Sequence, residues 1–182
     1  KIRHLPVPPL ALFSLYFILF TWVLEVHMRI TVFSDSHGRI DKMVCALKSW
    51  QPDLIVHLGD YIRDAEYLKK EFPQTPVRAV RGNCDIGSTD IEKDWFEIGP
   101  VKVFITHGHI YGVKRGLDAL LNAAHFSGAR VVLYGHTHVA ECRQIGGLWV
   151  INPGSAGQGL KPTCARLEIG EDGGIDCRIV PV

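Results

Sequence analysis

Five short segments of this chain concentrate side chains that bind metal ions. They are Ser34-Asp35-Ser36-His37-Gly38, Gly59-Asp60, Gly82-Asn83-Cys84-Asp85, Thr106-His107-Gly108-His109 and Gly135-His136-Thr137-His138. Carboxylate oxygen and imidazole nitrogen together suit borderline divalent ions such as Mn²⁺, Fe²⁺, Co²⁺, Ni²⁺ and Zn²⁺. Asp35, His37, Asp60, Asn83, His107, His136 and His138 read as one site. Asp35 and His37 flank a single residue, so on an extended strand end both point to the same side, and His136 and His138 do likewise. Asp60 has two oxygens with which to bridge two ions. Asn83 adds a neutral oxygen, which limits the negative charge of the site and preserves Lewis acidity. Two ions roughly 3.5–4 Å apart lower the pKa of a bridging water, hold a phosphoryl oxygen and offset charge in an in-line transition state. The chemistry expected of such a set is phosphoester hydrolysis by direct attack of a metal-bridging hydroxide, with no covalent enzyme intermediate.

The elements around these segments must bring them to one place. Ile30–Phe33, Leu54–Leu58, Val77–Val80 and Val131–Tyr134 are short apolar, β-branched runs that read as buried strands. Ile40–Trp50 has Ile40, Val44 and Leu47 on one helical face, and Ala65–Phe72 and Gly116–Phe126 are further helices. Trp95–Ile98 and Val101–Thr106 flank a Gly99-Pro100 turn. Cys142–Ile145, Leu148–Ile151, Cys164–Ile169 and Ile175–Val180 look like antiparallel strands joined by glycine turns. Strand–helix alternation followed by strands predicts an α/β sandwich with mixed sheets. Asp35, Asp60, Asn83, His107 and His136 each follow an apolar run, where open α/β sheets place their ligands.

The chain has 182 residues, 47% hydrophobic and 21% charged, with a net charge of +1. That length favours one domain, and the charge gives no overall field toward nucleic acid. The apolar stretch Leu5–Val26 follows Lys1 and Arg3, and Met28 leads directly into the first strand. The expected division is an N-terminal extension over residues 1–27, lying upstream of the working protein or serving as a membrane anchor, and a single domain over residues 28–182. Five cysteines without a C-x-x-C pair predict no disulfide framework and a reducing cytosol. Four of them, Cys45, Cys142, Cys164 and Cys177, read as core filling. His57 reads as a structural core histidine, Asp53, Asp64, Asp90 and Asp94 as solvated charges, and Trp95 and Trp149 as core. Neither a G-x-S-x-G elbow nor a phosphate-binding G-x-x-x-x-G-K-[S/T] loop is present.

The order D-x-H, G-D, G-N-[H/C]-D, H, G-H-x-H resembles the calcineurin-like metallophosphoesterase superfamily, and within it the small single-domain bacterial and archaeal phosphodiesterases. The resemblance runs from Met28 to the C-terminus. It implies a four-layer αββα sandwich with two mixed β-sheets. It also implies that Asp35, His37 and His138 bind one metal, that Asn83, His107 and His136 bind a second, and that Asp60 bridges them. Mn²⁺ is the first expectation for both, with Ni²⁺, Co²⁺, Fe²⁺ or Zn²⁺ as alternatives. A small phosphoester is the implied substrate, in the cytoplasm, and small relatives often pair as homodimers. Asn152-Pro153-Gly154-Ser155 matches a late loop beside the family's site, where the backbone and Ser155 would touch substrate.

One departure stands out. Many members carry a histidine where this chain has Cys84, and that histidine protonates the leaving group, oriented by the next residue, here Asp85. A thiol with a pKa near 8.5 is a poorer acid at neutral pH. His109 is a candidate substitute donor, so the residues expected to act in catalysis are Asp60, Asn83, Asp85, His107 and His109. Two other functions share the motifs. A scaffold resembling the retromer subunit of this fold would lose ligands, and this chain keeps all of them. A nuclease resembling those of DNA-break repair would add a capping domain and a basic surface.

Overall fold

The computed structural model describes residues 27–182. The extension expected over residues 1–27 lies outside the described residues, apart from His27, which opens the first strand. Among the described residues no helix is long and apolar enough to cross a membrane.

Among the described residues, ten strands form two five-stranded sheets. The first holds β1 (His27–Phe33), β2 (Leu54–His57), β3 (Val77–Ala79), β9 (Thr163–Gly170) and β10 (Ile175–Pro181), in the order β10-β9-β1-β2-β3. The second holds β4 (Lys93–Ile98), β5 (Val101–Thr106), β6 (Val131–Leu133), β7 (Glu141–Ile145) and β8 (Leu148–Asn152), in the order β4-β5-β6-β8-β7. Both sheets are mixed. β1, β2 and β3 run parallel, while β9 pairs antiparallel with β1 on one side and with β10 on the other. β5, β6 and β8 run parallel, with antiparallel β4 and β7 at the edges.

Side chains alternate along each strand, so a strand buried on both faces feeds two cores. Ile30 and Val32 of β1 face the second sheet, where they meet Val103, Ile105, Leu133 and Ile151. Phe33 and Ile55 point the other way, onto Met43, Leu47 and Leu68 of helices α1 (Ile40–Trp50) and α2 (Ile62–Glu71). On the outer face of the second sheet, Phe104, Val132 and Val150 pack on Leu120 and Ala124 of α3 (Asp118–Phe126). The result is the expected αββα sandwich with two mixed sheets.

Three local expectations are corrected. Helix α2 begins at Ile62, three residues before the apolar pattern, because the Asp85 carboxylate accepts the N–H of Ile62 at 2.8 Å and so caps the helix from another loop. Trp95 is 54% exposed on edge strand β4, with the Lys102 ammonium over its ring, whereas Trp149 packs against the inter-sheet core. Cys45 is exposed on α1, while Cys164 is buried and Cys142 and Cys177 pack against the inter-sheet core.

Candidate metal centre

All of the ligand segments follow carboxyl ends of strands. Those after β1, β2 and β3 come from one sheet, and those after β5 and β6 from the other. The site therefore straddles the rims of both sheets. Backbone hydrogen bonds knit the loops together beyond the strands: Asp35 N donates to Gly59 O, Gly135 N to His107 O, and Ala156 N to Ser34 O.

The loops present their side chains through left-handed backbone. Asp35 (φ 53°), His37 (φ 46°), Asp60 (φ 55°), His136 (φ 69°) and His138 (φ 59°) all lie where L-residues are uncommon. The pairs Asp35/His37 and His136/His138 thus converge through successive tight turns, not through the extended backbone that their spacing suggested. The loops also approach too closely for side chains at two glycines. A Cβ on Gly82 would run into the Asp60 carboxylate, and one on Gly135 into the Ser34 hydroxyl.

The potential ligand atoms fall into two triads. Asp35, His37 and His138 form one and Asp60, His107 and His136 the other, with the ligand atoms of each triad within 4.8 Å of one another. Asn83 joins the second, its Oδ1 lying 3.2 Å from His107 Nε2. The triads are contiguous: His107 Nε2 is 4.0 Å from Asp35 Oδ1 and 3.5 Å from Asp60 Oδ1. The seven residues predicted from their types are therefore brought together.

Ligand-type atoms crowd together here. His107 Nδ1 lies 2.8 Å from the Leu58 carbonyl, which can only accept, so Nδ1 carries a proton and Nε2 is turned into the site. Nε2 faces Asn83 Oδ1 and His136 Nδ1, each at 3.2 Å. Burial, then the neighbouring His107 and Lys114, lower the His136 pKa to about 4, which keeps that ring neutral near pH 7. In the first triad Asp35 Oδ2 accepts from Ser34 Oγ at 2.6 Å and from His136 N at 3.1 Å. His37 Nε2 is buried with no hydrogen-bond partner among the described residues, and buried Asp35 Oδ1 makes no hydrogen bond although His138 Nε2 lies 2.9 Å from it. A cation reconciles such an arrangement, and this donor set fits divalent ions. Burial disfavours ionised Asp60, but the Cys84 N–H at 2.8 Å and the nearby His107 and His37 outweigh it and hold its pKa below the usual value.

Two further carboxylates hold these loops. Asp85 accepts from Gly82 N (2.8 Å) and Asp60 N (3.0 Å) on Oδ2, and from Tyr61 N (2.7 Å) and Ile62 N (2.8 Å) on Oδ1. It ties the Asp60 loop to the Asn83 loop and is a positioning residue. Asp64, expected to be a solvated charge, is instead 1% exposed. It accepts from Ser36 Oγ at 2.7 Å and Gly38 N at 2.9 Å, and so fixes the Asp35–His37 turn. Because the Ser36 hydroxyl donates to Asp64, the His57 Nε2 at 3.0 Å donates to Ser36, and His57 Nδ1 accepts the Gly59 N–H at 3.2 Å. His57 is the structural core residue expected, but its role is to join two ligand loops. The signal for Asp64 was available only as an acidic residue in the first turn of a helix, the pattern of any solvated helix start. Ser155, expected beside substrate, is 4% exposed, and its hydroxyl donates to Asp35 O at 2.7 Å. His109 stands behind the second triad, its ring centroid 5.4 Å from that of His107 and its Nε2 3.5 Å from Glu92.

Comparison with known proteins agrees with this geometry. The calcineurin-like phosphoesterase superfamily domain matches residues 28–172. The chain is 32% identical over 130 residues to the probable metallophosphoesterase YsnB of Bacillus subtilis, a match covering 70% of this chain and 75% of that one. It is 30% identical over 146 residues to the phosphodiesterase MJ0936 of Methanocaldococcus jannaschii, covering 70% of this chain and 83% of that one. A structure of Vps29 from Entamoeba histolytica superposes with a TM-score of 0.65 at 21% identity, covering 85% and 99%, a likeness of fold alone.

Two predictions follow from the supports. Asp85→Ala leaves four loop N–H groups without their acceptor, so metal affinity measured by competition with a fluorescent chelator should fall roughly 10–100-fold, as for other outer partners of a metal site. Asp85→Asn should not restore it, because the amide sets a donor against donors. For His57, burial lowers the pKa below its ordinary 6.5. The unfolded chain then takes up a proton below about pH 6.5 that the folded one refuses. This stability contribution is complete above that pH and is lost as pH falls below it. Urea midpoints of metal-free protein at pH 7.5 and 5.5 should show that drop, and His57→Gln should shrink it.

Proposed function

Because the chain belongs to the calcineurin-like phosphoesterase superfamily and its ligand atoms form two contiguous triads, we propose that it is a phosphodiesterase working with two divalent ions. Metal-dependent phosphoesterase activity follows from the family and its relatives. The observation that carries the two-ion reading is the contact between the triads, with His107 Nε2 3.5 Å from Asp60 Oδ1 and 4.0 Å from Asp35 Oδ1.

In this reading Asp35, His37 and His138 would hold one ion and Asn83, His107 and His136 the other, with Asp60 available to both. When bound, the ions would supply Lewis acidity and activate a water for attack on phosphorus near neutral pH. Mn²⁺ is the ion proposed first, with Ni²⁺, Co²⁺, Fe²⁺ or Zn²⁺ as alternatives that the same nitrogen and oxygen donors would also accept.

The side chains do the remaining work. The Leu58 carbonyl orients His107. The Ser34 hydroxyl and the His136 N–H hold one oxygen of Asp35 and leave the other facing the site. Leaving-group protonation is poorly served. Burial, and then the Asp60 carboxylate, raise the Cys84 thiol to about 11, so it gives up its proton reluctantly. His109 has its pKa lowered, by burial and then by His107, and is neutral near pH 7. Asp85 spends its carboxylate on backbone N–H groups. Diesters whose alcohol or phenol departs as a stable anion are therefore the favoured substrates.

Metal-stripped protein should not hydrolyse bis(p-nitrophenyl) phosphate, added Mn²⁺ should restore the activity, and Asp60→Asn should abolish it. Full activity in the stripped protein would end the reading. Cys84→His should speed a diester with a poor leaving group, such as a phenyl alkyl phosphate, by roughly 10²-fold while changing the nitrophenyl rate little. An unchanged rate on the poor leaving group would count against the account of Cys84.

A further inference from the structure

On the His37 side of the metal centre a cleft of about 340 Å³ opens between the start of α2 and the loop after Asn83. That volume is in the range of small-ligand sites, about 300–1,000 Å³. Tyr61 lines it, with its ring edge-on to His37 at 5.2 Å between centroids. The backbone of Tyr61 is left-handed (φ 77°), an outlier for so bulky a residue. It is locked there by the Asp85 carboxylate, which accepts the N–H groups of Tyr61 and Ile62. The strain keeps an aromatic ring, 37% exposed, beside a metal ligand. Ile86, 93% exposed, lines the cleft as well. The Arg63 guanidinium lies 5.6 Å from the Tyr61 ring centroid and, like Arg39, Arg115, Arg130 and Arg166, has no carboxylate partner among the described residues. The one carboxylate lining the cleft, Asp85, is engaged with backbone donors.

These surfaces ask for two features in one ligand. A bare anion would leave the Tyr61 and Ile86 surfaces uncovered, and an uncharged ring would leave Arg63 unpaired. We infer that this cleft is a subsite for a nucleotide-type ester group: a planar base stacks on Tyr61 against Ile86 while a second phosphate pairs with Arg63. The inference rests on the two-metal phosphodiesterase reading, in which the reacting phosphate sits on the ions next to His37. Stacking on an aromatic ring is tolerant of which base is offered, so the subsite selects a class of ester and not one base. A guanidinium forks onto phosphate oxygens in a way an ammonium cannot, which makes Arg63 the selective element.

The test is calorimetric titration of the Mn²⁺-loaded full chain with inorganic phosphate, adenosine 5′-monophosphate and adenosine 3′,5′-bisphosphate, alongside hydrolysis of bis(p-nitrophenyl) phosphate. Affinity should rise in that order, by about tenfold at each step. Arg63→Gln should erase the step from monophosphate to bisphosphate. Tyr61→Asn, which suits a left-handed backbone, should erase the step from phosphate to monophosphate. Both variants should bind inorganic phosphate as the parent chain does. Normal diester hydrolysis with equal affinities for all three ligands would overturn the subsite and leave the catalytic reading standing. Variants that weaken all three ligands alike would also overturn it. A chain that neither binds phosphate nor cleaves the diester would remove the catalytic reading, and the subsite with it.

Discussion

Asp85 takes backbone N–H groups from both sides of the centre, Gly82 on one loop and Asp60, Tyr61 and Ile62 on the other. Hydrogen bonds to a charged acceptor are worth about 1.5–3 kcal/mol each, and a buried donor without its acceptor costs a comparable amount. A single carboxylate therefore sets how far apart two ligand loops stand. It also starts helix α2, and it holds Tyr61 in a conformation that residue would otherwise leave. Asp64 does the same for the Asp35–His37 turn through Ser36 Oγ and Gly38 N, and His57 links that turn to the loop carrying Asp60. The residues suited to metal are few and conspicuous. What makes them a site is a second set of polar groups whose hydrogen bonds are spent entirely within the protein.

That second set is needed because the ligand loops are unfavourable on their own. Residues held in left-handed backbone cost of order 1–3 kcal/mol each, and Asp35, His37, Asp60, His136 and His138 are all held so. Loops with that much strain would relax if each hung from its strand alone. Here they are over-determined. Each is bonded to a neighbouring loop, and the strands beneath are clamped by a core that includes Ile30, Val32, Ile105, Leu133 and Ile151, all fully buried. The two-sheet architecture matters for this reason. One sheet supplies Asp35, Asp60 and Asn83 and the other His107 and His136, so the packing between sheets fixes the distance between the two halves of the centre.

Much of this is legible in the chain. The strands could be read because alternate residues feed two apolar cores, and the ligands because few residue types bind divalent ions and they recur after apolar runs. The supports could not be read in the same way. Asp64 looks like any acidic residue in the first turn of a helix, and only the fold brings Ser36 and Gly38 to it. Asp85 was legible as a site residue, but its office was not: the resemblance pointed to proton transfer, whereas its four backbone donors make it a brace. The convergence of Asp35 with His37 was anticipated for the wrong reason, since spacing alone does not distinguish an extended strand end from two left-handed turns. Trp95 and Cys45 fail differently. Apolar character says that a residue can be buried, not that the strand or helix carrying it has a neighbour on that side.

The division of labour among the carboxylates has an electrostatic consequence. Asp35, Asp60, Asp64 and Asp85 are all buried in or behind the centre. If all of them faced the ions, their charge would cancel that of two divalent cations, and an anionic phosphodiester would meet a neutral surface. Asp64 and Asp85 instead turn both charge and lone pairs toward a hydroxyl and backbone N–H dipoles. Only Asp35 and Asp60 are left for metal, with Asn83 neutral and the histidines uncharged as ligands. In the two-ion reading proposed above, a loaded centre would keep a net positive charge, which would attract an anionic phosphoester and stabilise the charge that builds up as the ester bond breaks. The same braces that fix the geometry of the loops thus also preserve the Lewis acidity on which the chemistry depends.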